Sequence, residues 1–442
     1  MKNKLFFYIQ NSKSALEDIS TSNLIDKLYK NYDLTLILKN DFINKSNIFF
    51  LKKIKKINIV LLNNQNSFRL IIWNTAHFLK RLILEKKIYN KYLYHRLELP
   101  LYVYVFSHLV NFLKLNYFII KILTFFLRIS LPEFIKKIKI NDIFLVYGSP
   151  KDSYTDDFFY ISKTKKCKSI LLQGNWDAAT TKPYLFKPNL VLTWGSITAY
   201  YSRKIHKIPS ISVGSLRFEK HKKMNLNYYR NKLNFNNKIV LDKKIDYIAY
   251  VSPTWNFNDD FFLKELNNFI NLYYKKKIKI LYKLHPYSNR NRDNLKNYEN
   301  IIVIDDSSIE DRHKNNYYFL KSVKGVITPY STMGLESLYY KKPLLLLADN
   351  NSFQFDSVSS VNSPYLVSFR KSSYFIKCSS KAKFIKCFIN FMNIINKNYS
   401  MKENKELNSI FSKNIMLNRI NYEDRVISNL NKLLNNSKTF IC

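Results

Sequence analysis

The sequence has 442 residues, room for two or three domains at roughly 150 residues each; with 46% hydrophobic and 16% aromatic residues it is not globally disordered. Its 72 Lys and Arg against 32 Asp and Glu give a formal charge of +40, which suits an anionic partner but equally suits a solvated surface shaped by A+T-rich codon bias. Cys167, Cys378, Cys387 and Cys442 are scattered without CxxC or zinc-ligand spacing, which excludes a disulfide framework and a zinc module and points to the reducing cytoplasm.

In chain order, Leu5 to Ile9, Leu34 to Leu38 and Ile57 to Leu62 read as strands, with helices over Thr21 to Lys30 and Phe68 to Leu84, where apolar residues return every three or four positions. A helical insert follows at about 86–139. Its most apolar part, Leu99 to Pro132, is broken by Lys114, Lys121 and Arg128 and falls short of a spanning helix. It predicts helices buried in the first domain or lying on a membrane surface. Strands resume at Ile143 to Val146, Ser169 to Leu172, Leu190 to Thr193 and Ile211 to Val213. The polar stretch Glu219 to Lys244 marks a domain boundary. Beyond it come strands at Tyr247 to Val251, Ile278 to Leu284, Ile301 to Ile304, Gly325 to Thr328 and Leu344 to Leu347. Helices fill Asp259 to Tyr274, the stretch ending Tyr317 to Val323, Met333 to Tyr340, Ala382 to Ile395 and Glu423 to Leu434. Strands alternating with helices imply parallel sheets. The fold expected is α/β: two Rossmann-like domains facing a central cleft, with a helical insertion in the first and C-terminal helices. Residues 1–230 form the first domain, 231–400 the second, and 401–442 a helical tail packing back across them.

Six glycines survive in the chain, and Gly148, Gly174, Gly195 and Gly214 each directly follow a predicted strand, as tight turns or as loops delivered to a ligand cleft. In the second domain, Thr328-Pro329-Tyr330-Ser331-Thr332-Met333-Gly334-Leu335-Glu336 ends a strand and opens a helix, an arrangement that holds phosphate on backbone amides. Ser331 and Thr332 add hydroxyls, Gly334 admits a phosphate to the first turn, and Glu336 can accept from ribose or sugar hydroxyls. The plain alternative is an N-cap. In Lys283-Leu284-His285-Pro286 the proline forces the chain out of the sheet and leaves the imidazole at the strand end, where it can meet a donor phosphate or a leaving group. In the first domain, Gln173-Gly174-Asn175-Trp176-Asp177 and the edge at Gly214 line the acceptor side, with Asp177 either a base for an acceptor hydroxyl or a loop cap.

The ordered set of Gln-Gly-Asn-Trp-Asp, Trp-Gly, Val-Gly-Ser-Leu-Arg-Phe, Leu-His-Pro and Ser-Thr-Met-Gly-Leu-Glu-Ser over about residues 143–348 resembles the GT-B glycosyltransferase superfamily. The likeness runs to bacterial surface-carbohydrate enzymes of the polysialyltransferase-like and CDP-glycerol glycerophosphotransferase-like groups. It implies donor contacts at His285, Pro286, Ser331 and Thr332, and a sugar moved from a nucleotide-activated donor to a cell-surface glycan or lipid-linked acceptor. Related enzymes often carry His where Gln173 stands. Gln cannot act as a base, so that duty moves to Asp177 or is absent.

No Asp-x-Asp or GxxxxGK[ST] occurs, so the expectation is a metal-independent enzyme without cofactor; the adjacent pairs Asp156-Asp157, Asp259-Asp260 and Asp305-Asp306 would point apart on a strand. Alternatives are a CDP-glycerol-type transferase and a non-hydrolysing UDP-sugar 2-epimerase. A nucleic-acid-binding protein is disfavoured, because the lysines are dispersed and the aromatics fall inside apolar strands. The basic surface and the aromatic stretch near 99–130 suggest peripheral attachment to an anionic membrane face.

Overall fold

The computed structural model describes residues 2–10, 13–40, 54–63, 66–84, 100–129, 138–139, 142–150, 152–176, 182–222, 241–242, 244–252, 259–274, 277–284, 298–304, 312–329, 331–347, 369 and 372–435. The chain forms two compact units, Met1–Lys222 together with Lys413–Cys442, and Lys223–Ser412. The segment 401–442, set apart in the sequence as a tail, is thereby divided between them.

In the first unit β1 (Lys4–Ile9), β2 (Asp33–Lys39), β3 (Asn58–Leu62), β4 (Ile143–Gly148), β5 (Lys168–Gln173), β6 (Leu190–Thr193) and β7 (Ser210–Ser212) form a parallel sheet in the order β3-β2-β1-β4-β5-β6-β7. Its helices are α1 (Lys13–Ser20), α2 (Leu24–Asn31), α3 (Ser67–Leu84), α4 (Leu101–Phe112), α5 (Asn116–Ile129), α6 (Ser153–Thr164), α7 (Ser196–Tyr201) and α8 (Leu216–Lys222). Both sheet faces are covered over β1, β2, β4, β5 and β6, which is why these strands are nearly continuous apolar runs, whereas edge strand β3 leaves Ile59 and Leu61 exposed. Leu5, Phe7 and Ile9 of β1 pack with α1 and α2 on one face, while Phe6 and Tyr8 pack with Phe158 and Phe159 of α6 on the other.

In the second unit β8 (Asp246–Val251), β9 (Ile278–Lys283), β10 (Ile301–Ile304), β11 (Gly325–Thr328), β12 (Leu344–Leu347) and β13 (Phe375–Cys378) form a parallel sheet in the order β10-β9-β8-β11-β12-β13. The helices are α9 (Asp259–Tyr273), α10 (Arg312–Ser322), α11 (Thr332–Tyr339), α12 (Phe384–Ile395) and α13 (Met401–Asn414). This is the 3-2-1-4-5-6 order of dinucleotide-binding sheets, in which the strand order reverses between the first and fourth strands, here β8 and β11.

The chain returns to the first unit through α14 (Tyr422–Asn435), whose Tyr422, Val426, Leu430 and Leu433 enter the core beside α2. Arg425 locks this return. Its Nε donates to the Val213 carbonyl at 2.6 Å and its Nη2 to Glu219 of α8 at 2.6 Å, with both side chains 5–6% exposed. Two glycines make the passage possible. A Cβ on Gly195 would lie 2.2 Å from the Asn414 carbonyl oxygen, and one on Gly214, where φ is +91°, 2.6 Å from that of Met416. Gly214 is therefore a seat for the returning chain, not the acceptor-side edge expected from the sequence.

The helical insert is not buried as a whole. Phe78, Leu79 and Leu82 of α3 pack against Val110 of α4 and against Ile119, Ile120 and Leu123 of α5. The far side of α4 and α5 is open to solvent.

Candidate functional site

In the second unit the carboxyl ends of β8, β9 and β11 are tied together. The Thr328 hydroxyl donates to the Val251 carbonyl at 3.0 Å, the Ser252 amide to the Lys283 carbonyl at 3.0 Å, and the Leu284 amide to the Ile304 carbonyl at 3.1 Å. Beneath them sits Asp259, 0% exposed at the start of α9. Its carboxylate accepts from Tyr250 at 2.9 Å, from Tyr282 at 2.8 Å and from Ser252 at 2.7 Å. One carboxylate thus fixes the ends of β8 and β9, the strand that leads to His285. The sequence reading missed Asp259, whose only signal was a carboxylate opening a helix after a strand ending in Tyr and Ser. His285 and Pro286 lie outside the described residues.

At the same edge β11 ends in Thr328, and α11 begins behind Ser331. Ser331 has extended backbone (φ −153°, ψ 152°), and its Oγ accepts from the Met333 amide at 3.0 Å, while its carbonyl accepts from the Gly334 amide at 3.1 Å. The hydroxyl is an N-cap, as the alternative reading held. A cap uses the serine oxygen as acceptor, so the hydroxyl proton is left to donate outward. Thr332 is half-buried next to it. Two expectations need correction. A Cβ on Gly334 would meet Thr328 Cγ2 at 3.2 Å and Leu344 Cδ2 at 3.4 Å, so this glycine seats α11 on β11 and β12 and does not open the first turn. Glu336 is 2% exposed, so it faces the interior instead of offering an open carboxylate; together with burial, its charge pushes the Tyr340 hydroxyl up.

In the first unit Gln173, Gly174 and Asn175 leave the carboxyl end of β5, running from buried to half-buried to exposed. Gly174 hydrogen-bonds to the Gly148 carbonyl at 2.7 Å, and a Cβ there would lie 3.2 Å from Gly148 Cα, so two strand ends touch through their glycines. The Gln173 backbone carbonyl accepts from Trp194 Nε1 at 2.7 Å. Its side chain is 2% exposed, yet among the described residues neither Nε2 nor Oε1 has a partner. Such a group costs about 1–3 kcal/mol per unmet atom, and in a native protein it calls for an explanation such as a ligand or water. Asp177 lies outside the described residues.

A polar cluster that the sequence reading did not foresee sits at the start of α6. Asp156 and Asp157 are on a helix, not a strand, and both are buried, at 2% and 4% exposure. Asp156 accepts from Trp73 Nε1 of α3 at 2.8 Å and from the Phe186 amide at 3.3 Å; burial pushes its carboxyl up to about 7, against the pull of these two bonds. Asp157 pairs with Arg69 of α3, which opposes the upward push of burial. His77 Nε2 lies 3.0 Å from the Pro150 carbonyl oxygen. Gln10, at the end of β1, bonds Ser149 and Thr155 and occupies the strand-order reversal of this sheet. Together these contacts pin α3 to the carboxyl end of the first sheet. Among the described residues no three His, Cys, Asp or Glu side chains gather as a metal-holding set.

No protein-family model matches the chain, and no curated protein matches it. Solved structures do. S. aureus MnaA determined with UDP is 10% identical over 98% of this chain and 97% of that one, with a TM-score of 0.54. The UDP-GlcNAc 2-epimerase of Methanocaldococcus jannaschii with UDP-GlcNAc and UDP is 13% identical over 98% and 99%, with a TM-score of 0.51. The glycosyltransferase of kitacinnamycin is 9% identical over 98% of this chain and 100% of that one, with a TM-score of 0.52. The chain has the two-domain α/β fold of the GT-B type along its whole length.

Proposed function

We propose that the chain is an enzyme acting on a nucleotide-activated sugar, and that it passes the sugar to a glycan or lipid-linked acceptor. The observation that carries this reading is the capped start of α11 beside the β8–β11 reversal, the position at which sheets of this order bind nucleotides, where the positive helix end and the Ser331 hydroxyl proton favour an anion. In this reading Ser331 and Thr332 hold the donor phosphate, and the His285-Pro286 pair serves the leaving nucleotide. The Gln173 carboxamide, without a partner among the described residues, binds an acceptor hydroxyl, with Gly174 and Asn175 shaping the loop and Asp177 taking up the proton. Glu336 contributes through packing. A CDP-linked donor fits the same phosphate site.

A second reading, epimerisation of a UDP-sugar, is favoured by the full-length likeness to proteins named as UDP-GlcNAc 2-epimerases. Weighing against it, the buried pair Asp156 and Asp157 of the first unit is committed to Trp73, the Phe186 amide and Arg69. The test is incubation of the purified chain with UDP-, CDP-, CMP- and GDP-linked sugars. Nucleotide release that requires an acceptor supports transfer, and a C2 epimer formed without acceptor supports epimerisation. Failure of every conjugate to bind refutes both.

A further inference from the structure

The α4–α5 hairpin is apolar on both of its sides. Its protected side packs Val103, Val110 and Leu127, at 3–4% exposure, around the polar Ser107, Asn116 and Thr124, at 0%, 7% and 6%. Its solvent side carries Leu101, Phe112, Tyr117, Phe118, Phe125 and Phe126, at 49–82% exposure. A helix pair meant for water carries polar residues on its outer side. An apolar face this extensive marks a docking surface.

The chemistry of the face identifies what it docks on. From Leu101 to Ile129 there is no Asp or Glu, and the charged residues are Lys114, Lys121 and Arg128, all exposed. We propose that this hairpin docks the chain on an anionic lipid bilayer, sinking its Phe and Leu side chains below the headgroups while the three cations meet lipid phosphate. A second copy would also cover apolar surface, but it would set cation-only hairpins of two chains, each at +40, against each other. Insertion stops at the interface. At 12 and 14 residues, the helices are roughly 18 and 21 Å long, short of the ~30 Å hydrocarbon core. Among the described residues no helix is long and apolar enough to cross a membrane. The docking surface stands on the hairpin alone, so its failure would leave the nucleotide reading untouched.

The experiment is flotation of the full chain with vesicles of mixed phosphatidylglycerol and phosphatidylcholine, against vesicles of phosphatidylcholine alone. The chain should float with the anionic vesicles and much less with the neutral ones. Lys121→Gln should weaken partitioning about fivefold, the equivalent of about 1 kcal/mol per cation. Phe112→Ser with Phe118→Ser should weaken it more than tenfold without moving the unfolding midpoint, because both positions are solvent-facing. The proposal is overturned if the wild type stays unbound, or if the Phe pair variant floats equally well. It is also overturned if sedimentation shows a dimer that the same pair disperses while lipid binding is absent.

Discussion

Tyr282→Phe deletes one oxygen from the Asp259 knot, and its effect can be worked out from the geometry. Tyr250 and Tyr282 are 0% exposed and Ser252 1%, so none of the three hydroxyls reaches water, and all three donate to one carboxylate at 2.7–2.9 Å. A hydrogen bond to a charged acceptor is worth about 1.5–3 kcal/mol. Tyr282→Phe should therefore cost about 2 kcal/mol, as should Tyr250→Phe. The double variant should depart from additivity by more than about 0.5 kcal/mol, because both hydroxyls serve one carboxylate. Asp259→Ala removes the shared acceptor of all three hydroxyls and should cost about 5 kcal/mol. Urea unfolding followed by far-ultraviolet circular dichroism reads these values. Because the knot holds the strand that leads to His285, Tyr282→Phe should also weaken nucleotide binding severalfold. A stability loss below about 0.5 kcal/mol for Tyr282→Phe, together with one below about 1 kcal/mol for Asp259→Ala, would show that the carboxylate is not the organising centre of this edge.

Arg425→Met removes the partner of buried Glu219 and should destabilise the first unit by about 3–5 kcal/mol, whereas Lys27→Met, which breaks the exposed pair with Asp424, should cost less than about 1 kcal/mol in the same unfolding assay. Gly214→Ala sets a Cβ at φ +91° against the Met416 carbonyl and should cost about 1–3 kcal/mol, seen as early proteolysis of the C-terminal segment. Asp156 has its folded pKa raised to about 7, so its burial favours the protonated form: its contribution is full below about pH 4 and is lost as pH rises through 7. Relative to Asp156→Asn, the wild type should therefore lose about 3 kcal/mol between pH 5 and pH 8, and a difference that stays flat with pH would contradict this.

Much of the architecture was legible because a buried parallel strand leaves an unbroken apolar run. Leu190–Thr193, Ile301–Ile304 and Leu344–Leu347 stand where the sequence placed them. Strand β13 was missed: Phe375–Cys378 is only four residues long, with a lysine facing solvent, and alternates too briefly to register. The glycines were legible as constrained positions but not as to cause, since a clash with Asn414 or Met416, some 200 residues away in sequence, leaves no local trace. Asp156 and Asp157 were judged as a strand pair, and only the helix they open brings both beneath α3. The hairpin's apolar content was visible, but the exposure of its outer apolar face was not. Periodicity marks which residues share a face, and tertiary contacts decide whether that face turns inward.

The most direct test of the nucleotide site is calorimetric titration of the wild type and Ser331→Asp with the nucleotide conjugate that binds most tightly in a screen. Asp caps a helix about as well as Ser, so the unfolding midpoint should hold, while the new charge beside the phosphate should cost about 3 kcal/mol, roughly 100-fold in affinity. Unchanged affinity in a normally folded Ser331→Asp chain would contradict a phosphate seat at the start of α11.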